Sequence, residues 1–429
     1  MEPILKEQAW EAAFSGMAEE LGGVPGCGTA HKILITSDLY LPSVNGVVTS
    51  VLNLVTELRK LGYEVRILTT SYDNQYHYDA EGQVYYMKSI PCKVYPGVRM
   101  PINYFHHEYL DELIAWKPDV IHSQCEFFSF QYAKKIAEET DALLVHTYHT
   151  LYGQYASYLP IHAGADRMIA IASQLRLEIV NTVIAPTNKV KEALLEYGVR
   201  SPIAVIPTGI SLDKFRVPVD EVATAALREQ YGLDGCHVLL SLGRIGKEKN
   251  IEELIRYFET LLRRRSALSR SSIPPVKFLI VGGGPDMERL KELTESLGLS
   301  ENVIFTGMVK PDEVRQYYAL GDIFVCASTS ETQGLTYVEA LACGLPLVCR
   351  SDPALDGVVT PGINGYRYEN AGEFCTYISR ILDTPPLSRA MRNENLRNAE
   401  NFSKERFALN AAELYNTLYA EKYPAVQLI

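Results

Sequence analysis

The feature that most restricts the fold is a regular alternation of strand and helix signals, which runs twice along the chain. After residue 31, "HKILITSD" and "YEVRILTT" have the composition of buried strands, and the segment between them, "GVVTSVLNLVTELRKLG", is a helix that ends at a glycine. "DVIHSQ", "ALLVHTYH" and "TVIAPT" continue the pattern. Strands that alternate with helices predict a parallel sheet with helices on both faces. We therefore expect an α/β protein with doubly wound domains.

A turn-rich connector at 206–218 separates this series from a second one, which includes "HVLLSLGR", "VKFLIVGGG" and "DIFVCAS". Two Rossmann-like units joined by a short linker face each other across a cleft. The predicted divisions are an N-terminal helical extension (1–30), a first Rossmann-like domain (31–207), a second (208–384) and C-terminal helices that cross back to the first domain (385–429).

Composition excludes several classes of protein. A net charge of -11 argues against a nucleic-acid partner, which needs a basic surface for phosphates. No run approaches the roughly 18 apolar residues of a membrane-spanning helix, and "MEPILKEQAW" lacks the features of a signal peptide. The 8 cysteines include no C-x-x-C pair, which indicates reduced thiols. We expect a cytoplasmic protein whose membrane contact, at the inner face of the cell membrane, is peripheral.

Parallel sheets bind ligands beyond the carboxyl ends of their strands, and the first candidate there is "SDLYLPSVNGVVTS". It brings Gly46 and Val47 to the start of a helix, where a glycine lets backbone N–H groups approach an anion. The alternative is an ordinary turn glycine. The segment lacks G-x-G-x-x-G, which argues against a dinucleotide-binding dehydrogenase.

Two further candidates follow strands of the second series. "SLGRIGKEKN" carries Arg244 and Lys249, which can bind phosphate oxygens, unless the segment is simply a solvated loop. "VGGGPDMERL" places Gly283 and Gly284 in a strand-to-helix turn, which could hold a nucleoside or form only a tight connection. That turn lacks the lysine of a P-loop, which argues against a nucleotide triphosphatase.

The fourth candidate is "STSETQGLTYVEALACGLPLVCR", in which Glu331 and Glu339 flank a glycine. Both glutamates end an S/T-x-x-E sequence, so helix capping boxes are the alternative interpretation. If a helix begins near Thr336, the N–H groups of Gly334, Leu335 and Thr336 point into the cleft. Capping explains one carboxylate well, but it explains less well a loop glutamate beside a glycine.

Taken together and in order, "NGVV", "GRIGKEK" and the E-x7-E element "ETQGLTYVE" resemble the retaining glycosyltransferases of family four, which have the GT-B fold. The likeness covers nearly everything from residue 31 onward. It implies that Glu331 hydrogen-bonds the donor sugar and Glu339 the ribose hydroxyls. It also implies that the diphosphate is held by the side chains of Arg244 and Lys249 and by backbone amides near Gly46, Gly334 and Leu335. Fixed cations and helix N-termini can stabilise a departing diphosphate, and the chain has no D-x-D, so we expect no metal ion and no cofactor besides the nucleotide sugar.

The acceptor side is expected on the first domain. His149 stands near the carboxyl end of the strand in "LLVHTYHTLYGQY", and in the resembling enzymes a histidine here faces the donor sugar and the acceptor. A core or capping histidine is the alternative. Tyr148, His122 and Glu126 are further candidates for the acceptor side.

"SDLYLPSVNGVVTS" and "VHTYHTLYGQY" are similar to the diacylglycerol glucosyltransferases, a bacterial subgroup of this family. We therefore expect a retaining hexosyltransferase that uses UDP-glucose and a membrane lipid such as diacylglycerol. A surface of cations interleaved with apolar groups would meet the lipid, namely Lys88, Lys93 and Arg99 with Tyr85, Tyr86, Tyr95, Met100 and Phe105. The alternatives are a soluble or polysaccharide acceptor, a nucleotide-sugar epimerase of the same fold, and a non-catalytic sugar-nucleotide-binding scaffold.

Overall fold

A computed structural model describes residues 30–43, 45–92, 99–102, 107–151, 165–267 and 274–424. The predicted N-terminal helical extension lies outside these residues, apart from Ala30.

The first domain is built on a mostly parallel sheet. Its strands, together with a separate two-stranded ribbon, are β1 (Lys32–Ser37), β2 (Glu64–Thr70), β3 (His77–Asp79), β4 (Val84–Met87), β5 (Ser89–Pro91), β6 (Arg99–Pro101), β7 (Val120–Ser123), β8 (Leu143–Thr147), β9 (Thr182–Ala185) and β10 (Ile203–Val205). Among the described residues the sheet order is β10-β9-β8-β7-β1-β2-β4-β3, and only β3 runs antiparallel. β5 and β6 form the ribbon. β1 is buried from Ile33 to Ser37 because it is central and covered on both faces.

Helices cover this sheet on both sides. They are α1 (Gly46–Lys60), α2 (Glu108–Trp116), α3 (Phe128–Thr140), α4 (Ala165–Leu177) and α5 (Asn188–Glu196). α1 begins at Gly46 because the Asn45 side chain accepts a hydrogen bond from the N–H of Val48 (3.0 Å) and so caps the first turn. Its apolar face, including Val51 and Leu54, is buried against the sheet.

The second domain repeats the arrangement with a fully parallel sheet. The strands are β11 (His237–Leu242), β12 (Val276–Val281), β13 (Val303–Gly307), β14 (Ile323–Cys326), β15 (Leu347–Arg350) and β16 (Gly365–Tyr368). Their order is β13-β12-β11-β14-β15-β16. The helices are α6 (Asp213–Arg216), α7 (Glu221–Gln230), α8 (Ile251–Ser266), α9 (Met287–Ser296), α10 (Val314–Leu320), α11 (Leu335–Ala342), α12 (Ala371–Leu382), α13 (Pro385–Asn398) and α14 (Lys404–Lys422).

In both sheets the order in which successive strands are added reverses at a central strand. In the first sheet the chain adds strands on one side of β1 and then crosses to β7, and in the second it crosses from β11 to β14 in the same way. Such switch points open a crevice at the carboxyl ends of the strands, where ligands bind. The predicted pair of doubly wound, Rossmann-like domains is confirmed.

The last helix returns to the first domain. α14 packs on α1, and Phe407, Ala411 and Tyr415 are buried in the same apolar cluster as β1. The N–H of Ala30 donates a hydrogen bond to the Asn416 side chain (3.2 Å). The two ends of the described chain therefore meet on the first domain and tie the second domain to it.

Candidate functional site

The cleft between the domains brings the predicted glycine loop and the E-x7-E element together. Gly46 begins α1 directly after the loop that leaves β1, and Leu335 begins α11 after β14. A Cβ placed on Gly46 would lie only 3.6 Å from Cδ1 of Leu335. The N-termini of two helices, one from each domain, therefore converge on the same space, and both carry partial positive charge.

The loop that carries Glu331 is anchored to the first domain on one side and to the connector between the domains on the other. Lys189 donates hydrogen bonds to the carbonyl of Thr329 (2.6 Å) and to the carboxylate of Asp352 (2.8 and 2.9 Å). The Gln333 side chain accepts from the N–H of Thr208 (2.7 Å) and donates to its carbonyl (2.8 Å). Because the Lys189 contacts cross between domains, the position of Glu331 depends on how the domains are docked.

Glu331 and Lys249 form an ion pair within this cleft. Both side chains are partly buried, and they line a cavity of about 120 Å³. The wall of the cavity also includes Arg244 and Thr336. Three predicted groups that carry charge, two from the segment after β11 and one from the loop after β14, thus share one small space at the switch point of the second sheet.

Arg244 is more exposed than Lys249. Its guanidinium donates a hydrogen bond to the Glu248 carboxylate at 2.7 Å. A guanidinium on a loop can exchange one carboxylate partner for a phosphate. Arg244 can therefore bind an anion in the cavity that it lines.

The capping interpretation of the two glutamates is wrong. α11 begins at Leu335 with Gly334 as its N-cap residue, and no side chain caps it. Gly334 has φ 76°, and a Cβ there would lie 2.5 Å from the Tyr337 ring, so both conformation and space require glycine. The first N–H groups of α11 are therefore left without a side-chain cap.

Glu339 lies one turn into α11. Its carboxylate accepts a hydrogen bond from the Tyr318 hydroxyl (2.7 Å), and burial raises its pKa from 4.5 to about 7. The structure does not bring Glu339 into the cavity that Glu331 and Lys249 line. Its contact with a ribose stays a prediction.

The donor-binding role of Gly283 and Gly284 stays a prediction. A Cβ on Gly284 would lie 2.2 Å from the carbonyl oxygen of Ile245, and one on Gly283 would lie 2.7 Å from Cγ of Met308. The carbonyl of Gly283 also accepts from the N–H of Ile245 (2.9 Å). These glycines are needed because two loops pack closely there, and they help to position the Arg244 loop.

On the acceptor side, His149 lies two residues beyond the end of β8. It is partly buried, and its Nε2 lies 2.9 Å from the Gln124 amide oxygen, within hydrogen-bonding distance. Burial lowers its pKa from 6.5 to about 4. The imidazole is therefore neutral at physiological pH and acts as a hydrogen-bonding group rather than a cation.

Two of the other acceptor-side predictions are wrong, because the side chains of His122 and Tyr148 are fully buried. His122 bonds through Nδ1 to the Tyr415 hydroxyl and through Nε2 to Thr147, both at 2.6 Å. The Tyr148 hydroxyl is 2.9 Å from that of Ser173. Both side chains stabilise the fold, and neither can reach an acceptor in the cleft.

Glu126 is also nearly enclosed. Its carboxylate lies 3.6 Å from Nε2 of the fully buried His146. Because Glu126 is enclosed in this way, the structure does not support a direct contact between its carboxylate and an acceptor.

Sequence reasoning missed Asp38, the residue directly after β1. Its buried carboxylate accepts hydrogen bonds from the N–H groups of Phe128 and Ser129 (3.1 and 2.9 Å) and from the Ser129 hydroxyl (3.0 Å). Burial raises its pKa to about 6. The sequence shows that Asp38 directly follows a strand. It does not show that the hydrogen-bond donor Phe128 lies 90 residues further along the chain.

The predicted lipid-facing surface around residue 95 also needs correction. Tyr85 is fully buried and its hydroxyl donates to Glu112 (2.6 Å), while Arg99 is buried and donates to Ser89 (2.9 and 3.0 Å). Met100 is exposed. Three members of that predicted surface lie outside the described residues, namely Lys93, Tyr95 and Phe105.

Within 30–424, excluding its undescribed gaps, no helix has the length and apolar character needed to cross a membrane. The same residues contain no group of three or more side chains suited to hold a metal ion.

Comparison with known proteins gives the chain its relatives. Residues 44–214 match the model of Glycosyltransferase Family 4, and residues 224–398 match that of Glycosyl transferases group 1. The chain is 34% identical over 384 residues to alpha-monoglucosyldiacylglycerol synthase of Streptococcus pneumoniae, covering 87% of this chain and 84% of the relative. It is 30% identical over 394 residues to the protein of the same name from Acholeplasma laidlawii, covering 90% and 96%. Among solved structures, Anabaena HepE in complex with UDP-glucose has a TM-score of 0.67 at 17% identity, covering 90% of this chain and 99% of that one, which shows a shared fold.

Proposed function

The chain belongs to the glycosyltransferases of family 4 and group 1, and on that premise we propose that it transfers glucose from UDP-glucose to diacylglycerol. In this proposal the configuration at the anomeric carbon is retained and no metal ion takes part.

The convergence of two helix N-termini and two cations on one cleft carries the proposal. Gly46 and Leu335 begin helices from opposite domains, and Arg244 and Lys249 line the adjoining cavity. A sugar nucleotide has a diphosphate at its centre, and this arrangement offers it backbone N–H groups and positive charge from both domains.

The same groups can assist bond breaking. As the bond from the anomeric carbon to the diphosphate breaks, negative charge grows on the departing phosphate oxygens. Lys249 and Arg244, together with the uncapped N–H groups of α11, would stabilise that charge, and a metal ion would not be required. Glu331 holds Lys249 in place through their ion pair and presents its other oxygen to the sugar hydroxyls.

The proton of the acceptor hydroxyl must also be removed. With a pKa of about 4, His149 is a weak base, whereas a phosphate has a second pKa near 6. The departing phosphate is therefore the better proton acceptor. His149, neutral and held by Gln124, would position the sugar or the acceptor hydroxyl by hydrogen bonding.

The choice of substrates rests on the relatives. Two relatives that span most of the chain are named as synthases of monoglucosyldiacylglycerol, and a protein of the same fold has been solved with UDP-glucose. These names describe the relatives, so the choice of UDP-glucose and diacylglycerol for this chain is part of the proposal.

The test is to incubate the purified protein with UDP-glucose and dioleoylglycerol in mixed micelles and to analyse the extracted lipid by NMR. We expect one monoglucosylated lipid whose anomeric proton has the α configuration of the donor. Transfer only to water-soluble acceptors, or a β-linked product, would contradict the proposal. Conversion of UDP-glucose to another nucleotide sugar without any acceptor would indicate the epimerase alternative.

A further inference from the structure

Helix α4 presents a row of large apolar side chains to solvent. Met168, Ile171 and Leu175 are 62%, 46% and 63% exposed, and Ile179, in the turn that follows the helix, is 43% exposed. Their spacing of three, four and four residues places them on one face. We call this row, formed by Met168, Ile171, Leu175 and Ile179, the α4 stripe.

The opposite face of α4 is firmly attached to the domain. Ser173 and Leu177 are buried, and the Ser173 hydroxyl is 2.9 Å from that of Tyr148. The carbonyl of Leu177 accepts a hydrogen bond from Ser201 (2.5 Å). α4 cannot rotate to hide the α4 stripe without exposing Leu177 and breaking these bonds, so its orientation is fixed by the fold.

The α4 stripe differs from the other exposed apolar side chains of the described residues. Val222 on α7 and Leu409 on α14, for example, are exposed singly. Single exposed apolar residues are normal on soluble proteins and need no explanation, whereas a contiguous row marks a surface that contacts a partner.

Charged groups border the α4 stripe on both sides. At about 100° per residue, Arg167 and Arg176 fall on opposite edges, and Glu178 falls on the edge of Arg167. These three described side chains give the border one net positive charge, within a chain whose total is -11. The aliphatic stem of arginine can lie along an apolar surface while the guanidinium binds phosphate, as in helices that lie at a bilayer surface.

The α4 stripe is also linked to the acceptor side. Ser173, on the buried face of α4, contacts Tyr148, the residue that immediately precedes His149. The helix that carries the α4 stripe therefore packs directly beside the segment that leads to the predicted acceptor residue His149.

We propose that the α4 stripe docks the protein on the surface of a bilayer that contains anionic phospholipid, with Arg167 and Arg176 at the headgroup phosphates. The choice of a bilayer as the partner rests on the lipid acceptor in the proposed function. A second copy of this chain is the competing occupant, and the experiments below distinguish the two.

The first experiment measures flotation with vesicles of phosphatidylcholine and phosphatidylglycerol (1:1), without donor or acceptor. The variant Met168→Ser/Ile171→Ser/Leu175→Ser should bind at least tenfold more weakly than the wild type. Wild-type binding should fall when phosphatidylglycerol is omitted. The matched control Val217→Ser/Val222→Ser/Leu409→Ser removes three exposed apolar side chains elsewhere and should bind as the wild type does. Equal binding of the wild type and the α4 variant, or no binding by the wild type, would overturn the proposal.

The second experiment assays transfer to dioctanoylglycerol in detergent micelles, where no bilayer is needed. The α4 variant should retain activity within about twofold of the wild type, which also shows that it is folded. If the wild type transfers no glucose to the lipid but still floats through the α4 stripe, the proposed function fails and the docking surface stands.

A third measurement addresses the second copy. If sedimentation shows that the α4 substitutions convert a dimer to a monomer while vesicle binding is unchanged, the α4 stripe is a subunit interface and the proposal is wrong. Leu175→Trp gives an independent readout, since its fluorescence should be quenched by brominated phospholipid in the vesicles. An unquenched signal in protein that has bound to the vesicles would also overturn the proposal.

Discussion

Replacement of Glu339 by glutamine should make the stability of the protein less dependent on pH. Glu339 is held in α11 with its carboxylate bonded to the Tyr318 hydroxyl, and burial raises its pKa from 4.5 to about 7. In the unfolded chain the carboxyl group regains an ordinary pKa. Between pH 4.5 and 7 the folded state therefore binds more protons than the unfolded state, and stability falls as the pH rises.

The size of the effect follows from the shift. One pKa unit corresponds to about 1.4 kcal/mol, so the shift costs the wild type about 3 kcal/mol above pH 7 and nothing below pH 4.5. Glutamine cannot ionise, and its amide oxygen can still accept from Tyr318. At pH 8 the variant should be more stable than the wild type by up to about 3 kcal/mol, and this advantage should disappear by pH 4.5.

The assay is urea unfolding of both proteins at several pH values between 4.5 and 8.5, followed by a probe in the second domain. Other groups that titrate, including Asp38, contribute equally to both proteins and cancel in the difference. Tyr318→Phe is the matched control, because losing the donor removes a bond that lowers the pKa of Glu339 and should steepen the pH dependence. A difference between wild type and Glu339→Gln that does not change with pH would refute the reasoning.

Three further predictions concern the cleft. Glu331→Ala should lower turnover far more than the melting temperature, because this loop carboxylate contacts Lys249 rather than the core; early melting with normal specific activity would show a structural role. Lys249→Ala and Arg244→Ala should each weaken UDP binding in calorimetry by roughly 1.5 to 3 kcal/mol, the value of a hydrogen bond to a charged group, and unchanged affinity in both would remove them from the site. Activity should survive EDTA, since two cations already line the cavity; loss that manganese or magnesium restores would contradict the metal-independent proposal.

The alternation of strands and helices was enough to predict the two domains, because parallel strands buried on both faces have near-continuous apolar sequences. Residues 33–35 of β1 and 238–240 of β11 are such buried apolar runs. The E-x7-E element was also placed well, since a glycine between two carboxylates after a strand predicts a loop that leads into a helix. The structure puts Glu331 on that loop and Glu339 inside α11.

The errors share one physical cause. When a residue is buried by a segment that is distant in the chain, the sequence around that residue gives no sign of the burial. His122 and His149 both follow apolar runs, but only His122 is covered by α14, through Tyr415. In the same way, the sequence does not show that Gly284 lies against the backbone of Ile245. The bonds between Lys189 and Asp352, 163 residues apart, could not be read from spacing either.

The most direct test of the proposed donor site is a structure of the protein determined with UDP-glucose bound. We predict that the diphosphate lies between the N-termini of α1 and α11, with Lys249 and Arg244 within hydrogen-bonding distance of its oxygens. Glu331 should then contact the glucose. A diphosphate bound away from these helix ends, with Lys249 contacting only Glu331, would contradict the central claim that the cleft is built to hold and release a nucleoside diphosphate.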